Sequence, residues 1–173
     1  YLDLGKRGAP LGHADNAASR MKHRSPLGYR IWATKPVTLG QALALDLSVK
    51  RAEALPCRRG QAVIAADARI DNPHELASHL GIKPDELRSV SDEELILAAY
   101  EKWGTACPKY LIGDFAFAIW DAANARLFCA RDHLGVKPFY YYFKPNDGFA
   151  FASEIKGVFA LARIQRQVND ERV

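Results

Sequence analysis

Residues 111–143, LIGDFAFAIWDAANARLFCARDHLGVKPFYYYF, constrain this chain more than any other stretch. An apolar run at 115–120 meets a polar turn at 121–126, and a second run covers 127–130. A bend marked by Gly135 and Pro138 then leads to a third run at 139–143. Short aromatic and apolar runs bounded by turn residues are what a buried antiparallel meander requires, so three consecutive strands are expected here. A strand at 149–152 follows, and Ser153-Glu154 opens a helix to about residue 162.

Upstream, Tyr1-Leu2-Asp3-Leu4 reads as a strand already under way, and the first residue is not Met, so residues ahead of it are expected. Residues 14–24 carry helical spacing behind Asp15 as a cap and stop at Ser25-Pro26. Strands are expected at 29–33 and 37–45, then a charged, irregular stretch at 47–59 with a turn at Arg59-Gly60. A β-like run at 61–69 precedes Asn72-Pro73-His74-Glu75, a helix start with Asn as cap and Pro at the first helical position. That helix ends at Gly81, and a short piece follows at 84–88. Ser91-Asp92-Glu93-Glu94 is a capping box opening a helix through Trp103, closed by Gly104. Antiparallel strand groups with helices between them indicate α+β, two sheets packed together under helical cover.

Composition narrows the function classes. A chain of 173 residues supports one well-formed core. The net charge of +4 is spread, and its clusters at Arg20–Arg24 and Arg58-Arg59 lack interleaved aromatics, so they read as solvated faces and not as a nucleic-acid footprint. Three cysteines, Cys57, Cys107 and Cys129, lack the paired spacing of a disulfide framework or a zinc site. No stretch has the length of a membrane span and no signal peptide opens the chain, which makes a reducing cytoplasm the default. The histidines are scattered, with His74 and His79 five apart, off the spacing that lets two rings share a metal on one helix face. No metal ligand is assigned.

The ordered strings G-D-F-A-F-A-x-W-D (113–121), A-R-D-x-x-G-x-K-P-x-Y-Y (130–141) and F-A-S-E-I-K (151–156) resemble the N-terminal glutaminase domain of the asparagine synthetase family. The resemblance covers nearly the whole chain and is weakest between Leu43 and Gly60. It implies a four-layer αββα sandwich of two antiparallel sheets, the N-terminal-nucleophile hydrolase fold. It also implies a glutaminase-like domain at 1–163, and at 164–173 the start of a linker to a C-terminal ATP-dependent synthetase domain outside this sequence. ATP and Mg would belong to that domain, since no Gly-rich phosphate loop occurs here.

Such a glutaminase needs an N-terminal Cys nucleophile, an oxyanion hole with an Asn side chain, an Arg clamp for the substrate carboxylate and a carboxylate for its ammonium. The family's F-N-G-E-I-Y-N matches Ala66-Asp67-Ala68-Arg69-Ile70-Asp71-Asn72, placing Asp67 where the oxyanion Asn belongs and Ala68 where its Gly belongs. Asn to Asp exchanges a donor for an anionic acceptor. The clamp motif G-H-x-R-L-S-I matches residues 40–46, and no Arg occurs between Ile31 and Lys50. Asp92 matches the ammonium position, though a carboxylate at a helix start also suits the macrodipole. Asp67, Ala68 and Asp92 are therefore vestigial substrate positions, and no catalytic residue is assigned. The Arg131-Asp132 pair is expected to hold a hairpin-to-strand corner, and residues 23–28 a structural turn resembling H-R-G-P-D-G. The expectation is a non-hydrolytic domain serving as scaffold for an amide-forming synthetase of the lasso-peptide cyclase or β-lactam synthetase type, with a precursor peptide or leader-processing protein as further partner. The alternative is an active glutamine amidotransferase domain of a glutamine-hydrolysing asparagine synthetase. A free-standing structural domain is the third reading.

Overall fold

Alternate side chains of one central strand enter two different cores, and this double burial sets the layering. A computed structural model describes residues 1–4, 11–24, 27–43 and 56–161. Its strands are β1 (Leu2–Asp3), β2 (Tyr29–Thr34), β3 (Val37–Ala42), β4 (Cys57–Arg59), β5 (Ala62–Ile70), β6 (Gly113–Asp121), β7 (Arg126–Arg131), β8 (Tyr140–Lys144) and β9 (Gly148–Ala152). Its helices are α1 (Leu11–Arg20), α2 (Pro73–Leu80), α3 (Pro84–Leu87), α4 (Asp92–Trp103) and α5 (Ile155–Leu161), with 3₁₀ turns at Lys22–Arg24 and Gly104–Tyr110. One sheet runs β2-β3-β1-β9-β8 and the other β4-β5-β6-β7, with antiparallel pairing throughout.

On β6, Phe115, Phe117 and Ile119 pack with Leu76, Ile96 and Leu97 of the overlying helices. Ala118 and Trp120 point the other way, into a core shared with Val37 and Leu39 of β3. Ala17, Ala150, Val158 and Leu161 form a third cluster, joining α1 and α5 to the far side of the first sheet. The period-2 alternation of a strand thus feeds a helix layer on one side and a sheet layer on the other. The α+β fold with two stacked antiparallel sheets between helices matches the expectation. Ser91 accepts from the Glu94 amide at 3.2 Å while the Glu94 carboxylate accepts from the Ser91 amide at 2.7 Å, the capping box read in the sequence.

Several local expectations change. The first helix begins at Leu11, so Asp15 lies inside it and does not cap it. Residues 57–59 are a short strand, not irregular chain, because β5 offers them a full antiparallel register. The expected strand at 37–45 ends at Ala42, and residues 44–55 lie outside the described residues. Asn72 precedes α2 but makes no side-chain cap. Its amide instead spans to the neighbouring segment, donating to the Tyr110 carbonyl at 3.1 Å and accepting from the Ile112 amide at 3.0 Å.

The largest change concerns the expected meander. β6 and β7 form a hairpin, but the third run, β8, leaves their sheet and pairs with β9 in the other. It is an edge strand and mostly exposed, not buried. The corner at 132–139 makes this crossing. Asp132, only 7% exposed, accepts from the Val136 amide at 2.8 Å and the Lys137 amide at 3.0 Å. Arg131 donates to the Lys137 carbonyl at 2.6 Å and to the Gly135 carbonyl. The two side chains therefore hold the corner as expected, but through the backbone and not as a pair with each other. Gly135 sits at φ +67°, and a Cβ there would lie 2.7 Å from the Arg131 guanidinium carbon, so glycine is favoured and a larger residue would have to displace that side chain.

Burial pushes the Asp132 carboxyl up, but the Lys137 and Val136 amides outweigh it and leave it below the usual carboxylate range. A lowered folded value stabilises the fold above about pH 4, and the effect fades as acid carries the solution through the folded value. Asp132→Ala, which removes two charge-assisted hydrogen bonds to backbone amides, is expected to cost about 2 kcal/mol in urea unfolding at pH 7. The difference from the parent protein should shrink below about pH 4.

Candidate functional site

A cavity of about 550 Å³ opens where the two sheets and α1 meet. Its room comes from small side chains: Ala65 and Ala118 face each other across β5 and β6, and Ala116 opposes Asp67 one step further along. Tyr1 and Thr38 join β1 to β3 at its wall, the Tyr1 nitrogen donating to the Thr38 carbonyl at 2.7 Å and the Thr38 amide to the Tyr1 carbonyl at 2.9 Å. The register Leu2 to Val37 and Leu2 to Phe149 carries backwards toward Gly40 on β3 and Ala152 on β9, both cavity-lining. The Tyr1 nitrogen therefore sits at the cavity wall, between β3 and β9.

The three sequence-predicted positions all line this cavity, though they do not act alike. Ala68 alternates away from Asp67 and packs into the helix-side core with Phe115 and Phe117. Asp92 is the first residue of α4, at the cavity wall. Asp67 points between the sheets, where its carboxylate meets the Lys137 ammonium at 2.6 Å and the Arg24 guanidinium at 3.1 Å. Its charge is therefore compensated on both oxygens. Arg24 also lies 3.7 Å from Glu154, which His23 contacts at 2.7 Å and Lys156 at 3.0 Å.

Arg24 belongs to the cluster read as a solvated face, and Lys137 to the corner motif. The sequence placed neither at the site, because the elements that bring them together are far apart along the chain. Their only sequence signal was membership in the two family strings. The absence of an Arg on β3 also has a structural counterpart. Gln41 fills that region, its amide donating to Glu93 at 2.9 Å and accepting from the Ala66 amide at 3.3 Å, so it ties β3 to β5 and to α4.

The other guanidinium at the wall, Arg69, is also taken. It contacts Asp71 at 3.0 and 3.3 Å and Asp114 at 3.0 Å. The Asp71 hydrogen bonds hold it above its usual range, followed by the charges of Asp71, Asp114 and, last, Asp92. Every cation described at this wall thus has an internal carboxylate partner.

Burial pushes the Cys57 thiol up to about 11, and those of Cys107 and Cys129 up to about 12. A thiol so raised holds almost no thiolate at neutral pH and is a poor nucleophile. Among the described residues, no cluster of three His, Cys, Asp or Glu side chains could hold a metal ion. No helix there is long and apolar enough to cross a membrane.

A sandwich of two antiparallel sheets between helix layers, with a cavity at the head of its first strand, is the architecture expected of an amidotransferase glutaminase. Residues 4–173 match the glutamine amidotransferase domain family, and the chain belongs to that family, as a glutaminase-like domain of the asparagine synthetase type. It is similar to asparagine synthetase [glutamine-hydrolyzing] 3 of Bacillus subtilis strain 168, with 32% identity over 90% of this chain and 26% of the relative. It is also similar to asparagine synthetase B of Escherichia coli K12, with 30% identity over 83% of this chain and 26% of the relative. The chain spans about a quarter of the length of these curated relatives.

Asp67→Asn removes both ion pairs at a site about one-third exposed. It should cost about 1 kcal/mol in urea unfolding at low ionic strength and less in high salt. Native-state alkylation of Cys57, Cys107 and Cys129 at pH 7.5, followed by peptide mass mapping, should run at least about a hundredfold slower than after unfolding.

Proposed function

We propose that this domain does not hydrolyse glutamine and serves as a scaffold for the ATP-dependent, amide-forming remainder of an asparagine-synthetase-related protein. The observation that carries the reading is Asp67, at the position of the family's oxyanion Asn, held between Lys137 and Arg24. A carboxylate cannot donate to a developing oxyanion, and losing one such donor costs roughly 3 kcal/mol of transition-state stabilisation. The cations beside it are no remedy. An internal carboxylate in contact with Arg24 and Lys137 competes with any substrate carboxylate at a high effective concentration. Arg69 is engaged in the same way by Asp71 and Asp114.

We further assign the protein to the branch in which the amine comes from the substrate itself, the lasso-peptide cyclases being the nearest chemistry, with a precursor peptide or its leader-processing protein as partner. Asp67-Ala68-Arg69-Ile70-Asp71 ahead of a helix and the corner string at 130–141 support this branch. ATP and Mg would bind in the remainder of the protein, where they would activate a carboxylate. The residues described here lack the donor clustering to hold the metal. Three free cysteines suit a cytoplasmic setting.

The second reading, an active amidotransferase, draws on the position of β1: its first residue, Tyr1, lines the cavity, so a Cys just upstream would lie near it. Ammonia release decides between them. The intact protein, given glutamine, is expected to release no ammonia above the rate without enzyme, while releasing pyrophosphate from ATP with its own carboxylate substrate and no glutamine. Glutamine-dependent ammonia that disappears on replacing an N-terminal Cys by Ala would overturn the proposal.

A further inference from the structure

β8 is the least guarded edge among the described strands. It pairs with β9 on one side and with no described strand on the other. The remaining sheet edges carry charge: Arg30 on β2, Arg58 and Arg59 on β4, and Arg126 and Arg131 at the two ends of β7. Such charges discourage edge backbone groups from pairing with another chain. β8 instead reads Tyr140-Tyr141-Tyr142-Phe143-Lys144, a run of aromatics with one charge at its last position. Tyr141 is 67% exposed, Phe143 55% and Tyr140 44%.

These aromatics are held in place without any partner. Tyr141 stacks on Phe149 with ring centroids 5.7 Å apart, Phe149 meets Phe151 at 6.0 Å, and Phe151 stacks on Phe139 at 5.2 Å. On the other face of the strand, Tyr142 packs against the cluster that joins α1 and α5 to the sheet. Backbone and side chains are therefore ordered in advance, which lowers the entropy cost of pairing.

We infer that β8 is a self-association edge, on which β8 of a second copy of this chain pairs antiparallel about a two-fold axis at Tyr142. The occupant follows from how the strand meets itself. Pairing centred on Tyr142 engages the whole strand and sets Tyr141 opposite Phe143 of the second copy on one face of the sheet. On the other face Lys144 comes opposite Tyr140, so the one charge of each strand meets an aromatic ring and not its own like. Centring on Lys144 would bring the two ammoniums together. Paired in this way, the two five-stranded sheets become one continuous sheet. The contact is small. An aromatic side chain buries about 150–250 Å², so three half-exposed rings supply roughly 300 Å² per copy, against about 800 Å² per partner in a standard interface. Main-chain hydrogen bonds add to this, and association is expected to be weak, on the order of 10 μM.

Sedimentation of the intact protein tests it. A series from about 1 to about 200 μM is expected to pass from monomer to dimer. Phe143→Lys, which sets a second cation on the edge, should weaken association at least about tenfold, while Ala123→Lys in the exposed β6–β7 turn leaves it unchanged. Cross-linking reads the register. Tyr141→Cys and Phe143→Cys are oxidised with glutathione disulfide, separately and as an equal mixture, and the products are mapped by mass. The mixture should form the 141–143 disulfide at least about tenfold faster than either variant links to itself, because opposed Cα atoms about 5 Å apart suit a disulfide and diagonal ones do not. A monomer throughout the series would overturn the inference. So would a dimer that Phe143→Lys leaves intact, or disulfides that form equally fast alone and in the mixture. None of these readouts involves glutamine, so this inference and the non-hydrolytic reading fail separately.

Discussion

The Asp132 carboxylate is the contact on which the arrangement of the two sheets and the site turns. By accepting from the Val136 and Lys137 amides it fixes where the chain leaves β7 and in which direction it travels. Two consequences follow from that one knot. β8 is delivered to the opposite sheet, where it pairs with β9, and Lys137 is delivered to the cavity, where its ammonium meets Asp67. A buried carboxylate satisfied by backbone donors is stiff, because losing either amide leaves one of its oxygens short of a partner inside the protein. The corner is therefore a fixed bracket and not a hinge.

The strands were legible wherever apolar residues were bounded by turn residues: β5, β6, β7 and β9 fall within a residue or two of their expected limits. Capping chemistry was legible for α4, where Ser91 and Glu94 act within one turn. It misled at Asn72, whose amide has longer-range partners in the 110–112 segment that no local pattern announces. The sheet to which β8 belongs was not legible, since strand pattern records burial and length but not the partner across the gap. The three-residue β4 was too short for any period, and the ion contacts of Asp67 lie beyond any local rule because they join three separate elements.

Of the site, sequence singled out Asp67 on β5 as an anionic acceptor in place of a donor but could not show its partners. In three dimensions the anion is the centre of a small array, with Lys137 and Arg24 on its two oxygens and Glu154 beyond Arg24.

The wall of the cavity thus follows one rule: each described positive group has been answered from within the chain. Lys137 and Arg24 share Asp67, and Arg69 is held by Asp71 and Asp114. A site built to seize a free amino acid needs the reverse, since its binding energy comes from charges that stay unsatisfied until the ligand arrives. Internal pairing instead puts the same groups to work joining β5 to the turn before β2, to the corner before β8 and to the start of β6.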